Sequence, residues 1–345
     1  MPRSQLNSVI RSRLQPAHRR IAGLLPAAAR RRYLFLAGQG RLPRLHDPRT
    51  FSEKVNWRIL CDRSPDLAWT CDKLAMKEHA AKLRDEAGIA VPETLWAGDD
   101  LIAVTGRTFD RPWVLKPNHR SGLVRFGSAD ATVDASTLAA TREWLRDDQS
   151  VLLGEWAYSQ ARRLLLIEED ISGGEPLDDY KLLVFHGRVA AIQVDRGRFT
   201  GAHARNYYTP QWEPISVRKT VASSVPTAAP ENLAAMLHAA EVLGQSFDFM
   251  RVDLYSTGDR LWFGELTPYP GGGVTRFQPR EFDAWLGDQW SLPASPRPVS
   301  VPRSRRRDAA TAVGVGVRAV VPGQRTEDGA GEPAPVPTLP ASPLM

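Results

Sequence analysis

The stretch that most constrains this chain is a hairpin. Phe249-Met-Arg-Val-Asp-Leu-Tyr255 leads into a polar turn, Ser256 to Arg260, and then Leu261-Trp-Phe-Gly-Glu-Leu-Thr267. The first strand alternates. Met250, Val252 and Leu254 take one face, and Arg251, Asp253 and Tyr255 take the other. Gly258 supplies the positive φ that a tight turn needs. Pairing Tyr255 with Leu261 sets Asp253 opposite Phe263 and Arg251 opposite Glu265. Asp253 and Glu265 then become diagonal neighbours on one face. Two carboxylates that close repel unless a cation lies between them, and hard oxygen donors with room for water and phosphate suit Mg²⁺. The bland reading is an exposed Asp, an Arg251–Glu265 ion pair and an ordinary glycine turn. A register slip of one residue puts the carboxylates on opposite faces and removes the site.

Charge is unevenly spread. Residues 1–49 hold eleven Arg against one acid, Asp47, and residues 291–345 hold seven Arg against four acids. The whole chain is +6, so the body between the ends is acidic. That argues against a protein built to coat nucleic acid and permits a basic arm that meets an anionic surface or partner. No apolar run approaches membrane-spanning length. The apolar stretch from Ile21 to Ala29 contains Pro26, runs into Arg30-Arg31-Arg32 and does not read as a signal peptide. Cys61 and Cys71 read as reduced structural thiols of a cytoplasmic protein. Lysine is scarce. Only seven of 45 basic residues are Lys, so a Lys within an apolar strand pattern stands out as a compact ammonium for phosphate.

Residues 1–49 read as basic helix, either packed on the body or lying on a membrane surface. Thr50 to Leu60 reads as a helix with Ser52 as a candidate cap, and Asp72 caps a second helix, Lys73 to Ala87, that Gly88 stops. Ile89 to Trp96 reads as a strand. Trp113-Val-Leu-Lys116 is a strand that delivers Lys116 to a polar loop, Pro117 to Gly122, with a return strand at 123–126. That is a phosphate clamp or an ordinary hairpin loop. Ala135 to Asp147 is helical. Residues 163–171 form a buried strand ending in acids. Asp179 to Asp195 is a hairpin turning at His186-Gly187, and the Lys181 in its first strand needs an anion: Glu168, Asp195 or a ligand phosphate. Arg196 to Trp212 mixes Arg and aromatic residues, which suits an anionic or sugar-like ligand or a pinned structural loop. Glu231 to Leu243 is amphipathic. From Pro293 onward Pro, Ala, Ser and Arg dominate, the composition of a disordered tail.

In order, TFSEKVNWRILCDRSP, DKLAMKEH, WVLKPNHRSG, IEEDISG, DDYKLLVFHGRVAAIQVDRGRF, RNYYTPQW and FMRVDLYSTGDRLWFGELTPYPGGG resemble the ATP-grasp superfamily. Within it they resemble the TupA-like group, which is linked to teichuronopeptide and other surface-polysaccharide biosynthesis. The resemblance covers roughly residues 48–290. It implies an α+β fold in which two α+β subdomains hold ATP between antiparallel sheets, after a short α/β N-terminal part. The division it implies is a basic arm (1–49), an ATP-grasp domain (50–290) and a tail (291–345). The domain itself divides into an N-terminal part (50–110), a small ATP-binding subdomain (111–167) and a C-terminal subdomain carrying the metal hairpin (168–290).

Carried over by position, Lys116 looks like the first phosphate lysine, and Ser121 and Gly122 like the flap. Glu168, Glu169 and Ile171 look like the hinge that reads adenine and ribose, and Lys181 like the second lysine. Asp253 and Glu265 match Mg²⁺ ligands, Thr267 stands where many such enzymes carry Asn, and Arg251 sits beside the transferring phosphate. Arg120 replaces a glycine of the usual phosphate loop. Arg196, Arg205 and Tyr207 are candidates for holding the substrate. The implied activity is ATP- and Mg²⁺-dependent ligation of a carboxylate to an amine or sugar through an acyl phosphate, in a cytoplasmic protein with possible contact at the inner membrane face. Its rivals are a sugar kinase and a non-catalytic nucleotide- or glycan-binding partner.

Overall fold

The computed structural model describes residues 22–146, 153–198, 203–219, 225–258 and 260–293. Residues 1–21 of the basic arm and residues 294–345 of the tail lie outside the described residues, as does any membrane role assigned to the first of them. Among the described residues no helix is long and apolar enough to cross a membrane.

Among the described residues, α1 (Ala27–Gln39), α2 (Phe51–Cys61), α3 (Pro65–Trp69) and α4 (Lys73–Ala87) precede the first strand. The cap of α2 is Thr50, not Ser52. Thr50 and Glu53 form a reciprocal capping box, while the Ser52 side chain donates to Asp283 at 2.8 Å. Asp72 caps α4 by accepting from the Ala75 amide, and Gly88 ends the helix in a left-handed conformation.

Two antiparallel sheets follow. The small one comprises β1 (Thr94–Gly98), β2 (Trp113–Pro117), β3 (Arg125–Gly127) and β4 (Leu165–Glu169), in the order β1-β4-β2-β3. The large one comprises β5 (Asp179–Phe185), β6 (Arg188–Arg196), β7 (Ala204–Tyr208), β8 (Pro214–Ile215), β10 (Phe249–Thr257) and β11 (Arg260–Thr267), in the order β11-β10-β5-β6-β7-β8. β9 (Arg218–Lys219) and β12 (Phe277–Gln278) pair separately. Helices α5 (Ala135–Thr141) and α6 (Trp156–Gln160) lie between β3 and β4; α7 (Leu233–Gly244) precedes β10, and α8 (Glu281–Asp288) closes the described chain.

Each sheet has its own core. Trp113, Leu115, Leu165 and Ile167 pack with Leu101, Val104, Phe109 and Val133 under the small sheet. Under the large sheet the even-numbered residues of β10 (Met250, Val252, Leu254) meet α7. The approach is close, since a Cβ on Gly244 would lie 2.7 Å from Val184 Cγ1.

The other face of the large sheet changes character along its length. Phe249 opposes Phe185, and both pack under Phe51, whose ring centroid is 5.0 Å from that of Phe249. Four residues later the same face carries Asp253 opposite Lys181. Helices thus cover the aromatic half, and the charged half is left for the site.

Candidate active site

The predicted hairpin is present, but its register differs from expectation. Thr257 pairs with Arg260, Tyr255 with Trp262 and Leu254 with Phe263. This is the one-residue slip that by itself separates the carboxylates. A bulge at Gly264 then adds one residue to β11, so Asp253 and Glu265 are directly opposed, not diagonal, and Arg251 opposes Thr267. Glycine is required at the bulge. A Cβ there would lie 2.8 Å from the Asp253 carbonyl oxygen and 2.9 Å from Tyr255 Cε2.

Around the pair, Arg251 does not bridge to Glu265. It forks onto Asp253, with Nε to Oδ1 at 2.6 Å and Nη2 to Oδ2 at 2.7 Å, and also donates to Thr267 Oγ1 at 2.9 Å. Lys181 finds its anions in Asp253, at 2.9 Å, and Asp179. It does not pair with Glu168 or Asp195: Glu168 belongs to the other sheet, and Asp195 is held by Arg205 and His203. Burial pushes the Asp253 carboxyl upward, but Arg251 and Lys181 outweigh it and hold the group below its ordinary range. Asp179, also beside Lys181, is raised by burial.

The small sheet contributes a second charged cluster. Lys116 from β2 and Lys77 from α4 both engage Glu168 of β4, Lys77 at 3.0 Å and with a further bond to Thr94 Oγ1 at 2.8 Å. Burial alone would raise Glu168; the two ammonium groups reverse the sign and lower it. Lys73, at the start of α4, stands between the sheets. Its Nζ donates to the Arg120 carbonyl at 2.7 Å, and Glu265, Lys116, Glu168 and Cys71 all act on it. Burial pushes its ammonium down.

The loop after β2 is anchored by Asn118, which accepts from the Leu74 amide at 2.9 Å and donates to the Arg162 carbonyl at 2.9 Å. Ser121 and Gly122 are exposed beyond that anchor, Gly122 with φ 84°, and Arg120 is buried. Glu169 and Ile171 follow Glu168 out of the sheet, but the Glu169 side chain turns from the cluster and accepts from the Glu93 amide at 2.7 Å. A cavity of about 1170 Å³, lined by Lys77, Thr94, Arg111, Glu169 and Trp262, adjoins this hinge and not the carboxylate pair.

Of the three candidate substrate residues, the structure brings two toward the site. Arg205 forks onto Asp195, and the buried Tyr207 hydroxyl donates to Gln193 at 2.9 Å, on the face that carries Lys181. Arg196 is one residue out of phase. It faces the other way and pairs with Asp178 at 3.1 Å and Thr227 at 2.7 Å.

Sequence reading missed Lys73, Lys77 and Gly264. Lysine scarcity was the available signal for the first two, since Lys73, Lys77, Lys116 and Lys181 are four of the seven lysines and all belong to this constellation.

The donor chemistry fits a hard divalent cation. Two carboxylates are opposed on one face, Glu265 is within 3.5 Å of the Thr267 hydroxyl, and no His, Cys or further acid completes a group of three among the described residues. The remaining coordination positions would fall to water and phosphate oxygens, as Mg²⁺ prefers.

The sequence model of the TupA-like ATPgrasp family matches residues 53–291. No curated protein matches the chain. Among solved structures, the chain is similar to ATP-grasp ligase PsnB complexed with minimal precursor, Mg and ADP (19% identity, 59% of this chain and 52% of that one, TM-score 0.32). It is also similar to D-alanine–D-alanine ligase from Helicobacter pylori (16%, 65% and 61%, TM-score 0.35) and L-amino acid ligase from Bacillus licheniformis (16%, 59% and 44%, TM-score 0.36). The chain spans about half to three-fifths of the length of the first of these structures that it matches.

Proposed function

The chain belongs to the TupA-like ATP-grasp family, and from that premise we propose that it is an ATP- and Mg²⁺-dependent ligase that joins a carboxylate to an amine or sugar in surface-polysaccharide modification. The observation that carries the reading is the Gly264 bulge, which sets Asp253 against Glu265 beside Arg251 and Lys181. Bound Mg²⁺–ATP supplies the phosphoryl group that activates the carboxylate as an acyl phosphate. Asp253 and Glu265 would hold the metal. Lys116, Lys73 and Lys181 would bind phosphate oxygens, and Arg251 would neutralise charge that develops on the transferring group. Ser121 and Gly122 would cover the phosphates and exclude water, while Glu168, Glu169 and Ile171 would border the nucleoside. Arg205 and Tyr207 orient the substrate.

These cations are engaged with the protein's own carboxylates, Lys116 with Glu168 and Arg251 with Asp253. Phosphate oxygens would compete with these carboxylates for the same cations. That supports a site held ready without stranding like charges.

The test is thermal unfolding with Mg²⁺–ATP, followed by ADP release in the presence of hydroxylamine. At about a hundred times its dissociation constant the nucleotide should add about 3 kcal/mol to the folded state. Lys116→Ala and Glu265→Gln should lose that shift. A hydroxamate product supports the ligase. A phosphate ester without hydroxamate would make the protein a kinase, and a shift without ADP release would make it a binding partner.

A further inference from the structure

The corner where α1 gives way to α2 gathers positive charge that the nucleotide site does not use. A cavity of about 360 Å³ opens there, lined by Arg41, Arg44, Arg49 and Arg280. Three of these come from the stretch between α1 and α2, and Arg280 comes from the start of α8. The fold, not a local basic run, assembles them. Three acids share the lining. Two of these are consumed inside. The buried Glu53 accepts from Arg41 and from the amides of Arg44, Arg49 and Thr50. The buried Asp283 accepts from the Ser52 amide and hydroxyl, both at 2.8 Å. The third, Glu281, is exposed. Arg41 is thus tied down, and Arg49 pairs with the exposed Asp47 at 3.0 Å. Arg44 and Arg280 are exposed, and among the described residues neither side chain has an ion-pair or hydrogen-bond partner.

Apolar side chains are exposed beside this cavity. Among the described residues six large apolar side chains are exposed, and three of them belong to this arm: Leu24 at 87%, Leu36 at 45% and Leu42 at 63%. The packing of α1 explains Leu36. Arg31, Phe35 and Gln39 form a buried stripe, with Arg31 bonded to Asn56 at 2.8 Å and Gln39 to Ser52 at 3.1 Å. The stripe one residue further on, Arg32 and Leu36, is left exposed. Leu42 follows the left-handed Gly40 that ends the helix and stands between Arg41 and Arg44. Gln39 and Arg41 line the cavity, so Leu36 and Leu42 flank its wall along the chain.

The combination selects the occupant. A soluble phosphate would use the arginines and leave the leucines in water. A second copy in a two-fold contact would cover the leucines but set one cationic cavity against the other. A bilayer with anionic headgroups answers both features, phosphate to arginine and acyl boundary to leucine. Residues 1–21, which join this arm at Ala22, add five Arg and no acid to the same end of the chain.

We propose that this corner docks on an anionic membrane: the cavity takes a lipid phosphate on Arg44 and Arg280, and Leu36 and Leu42 sink into the acyl boundary beside it. The surface shares no residue with the nucleotide site, and the inference stands independently of the ligase reading.

The experiment is co-sedimentation of the full chain with phosphatidylcholine vesicles, with and without phosphatidylglycerol. Removing residues 1–49 is unsuitable, because Arg31 and Gln39 help hold the body together. The chain should bind only the anionic vesicles, and less as salt is raised. Arg44→Gln combined with Arg280→Gln should weaken binding about 30-fold, near fivefold for each cation. Leu36→Ser combined with Leu42→Ser should weaken it about tenfold or more. All four side chains are exposed, so both variants should keep the wild-type unfolding temperature. Absence of binding to anionic vesicles, equal binding to both vesicle types, or variants that bind like the wild type overturn the surface; the last result would give the affinity to the arginines of residues 1–21. Two further results also overturn it. One is a lipid-free dimer in sedimentation velocity that the leucine variant dissociates, which would make the corner a contact between copies. The other is inorganic phosphate binding, lost in the arginine variant, without vesicle binding, which would make it a soluble-anion site.

Discussion

At the scale of single residues, Asp72 ties helix formation to the site. Its Oδ1 accepts from the Ala75 amide at 2.9 Å and fixes the start of α4, the turn that aims Lys73 between the sheets. Arg162 forks onto the same carboxylate at 2.8 Å. Burial would raise the Asp72 carboxyl, but Arg162 and the cap bonds win and lower it to about 2. A carboxylate depressed in the folded state stabilises it fully above the unfolded pKa of ~3.9 and loses that contribution as pH falls through the folded value. Asp72→Asn should therefore cost about 2 kcal/mol at pH 7, discounted toward 1 for the half-exposed Arg162. The gap from wild type should close between pH 4 and pH 2. Urea titrations at stepped pH check this; a gap that persists at pH 2 would mean the cap acts through geometry and not charge. Asp72 was legible in the sequence because a cap followed by a helical pattern and a glycine stop is a local signal. Thr50 was not picked out over Ser52 because both are good caps two residues apart, and only Glu53 turning back to the Thr50 amide separates them.

At the scale of elements, the hairpin shows how alternation can be read correctly and register missed. The two faces of β10 follow from composition, because burying Met250, Val252 and Leu254 leaves Arg251 and Asp253 on the other side. The partner of each residue depends on the turn and on any extra residue beyond it. Here Gly264 is the extra residue, and a glycine within a strand is the mark a bulge leaves in a sequence. Without the bulge the observed turn would put Glu265 on the core face. Gly264→Ala should therefore separate β11 from β10 at the site: the added Cβ would meet the Asp253 backbone, which cannot move aside as a side-chain tip can. We expect a loss of about 1–3 kcal/mol, typical of overpacking, together with loss of the Mg²⁺-dependent part of the ATP-induced thermal shift. Gly258→Ala is the control. It sits in the turn of the same hairpin with φ 64° and nothing within 4 Å, so it should strain the turn and leave Mg²⁺ dependence intact. Equal effects of the two substitutions on Mg²⁺ dependence would mean that the bulge does not set the site.

At the scale of the whole molecule, the two sheets have separate cores of unequal size, and the site lies where their charged faces come together. Among the described residues, the small-sheet cluster is built from eight buried apolar side chains, while the other extends from α2 through α7 to Trp290 and the large sheet. Fewer buried contacts mean a lower free energy of local opening. The small sheet should open independently before the large one does. Charge couples them. Lys73 reaches the flap carbonyl of Arg120 while acting on Glu265 of the large sheet, and Ala90 bonds to both Leu261 and Phe263 of β11 just before the chain enters β1. A nucleotide held by Lys116 on one side and by Lys181 with the Asp253–Glu265 pair on the other would bind only the closed arrangement, so its binding energy adds to the stability of the small sheet. Hydrogen exchange measures this directly. Without nucleotide, the amides of β2 and β4 should exchange faster than those of β5 and β10. Saturating Mg²⁺–ATP should slow β2, β4 and the loop at 117–122 by more than tenfold, since more than ~1.4 kcal/mol of linkage is expected, while β5 and β10 change less. Uniform protection of both sheets would mean one cooperative unit, and the subdomain division anticipated near residue 168 would then be one of topology and not of energy.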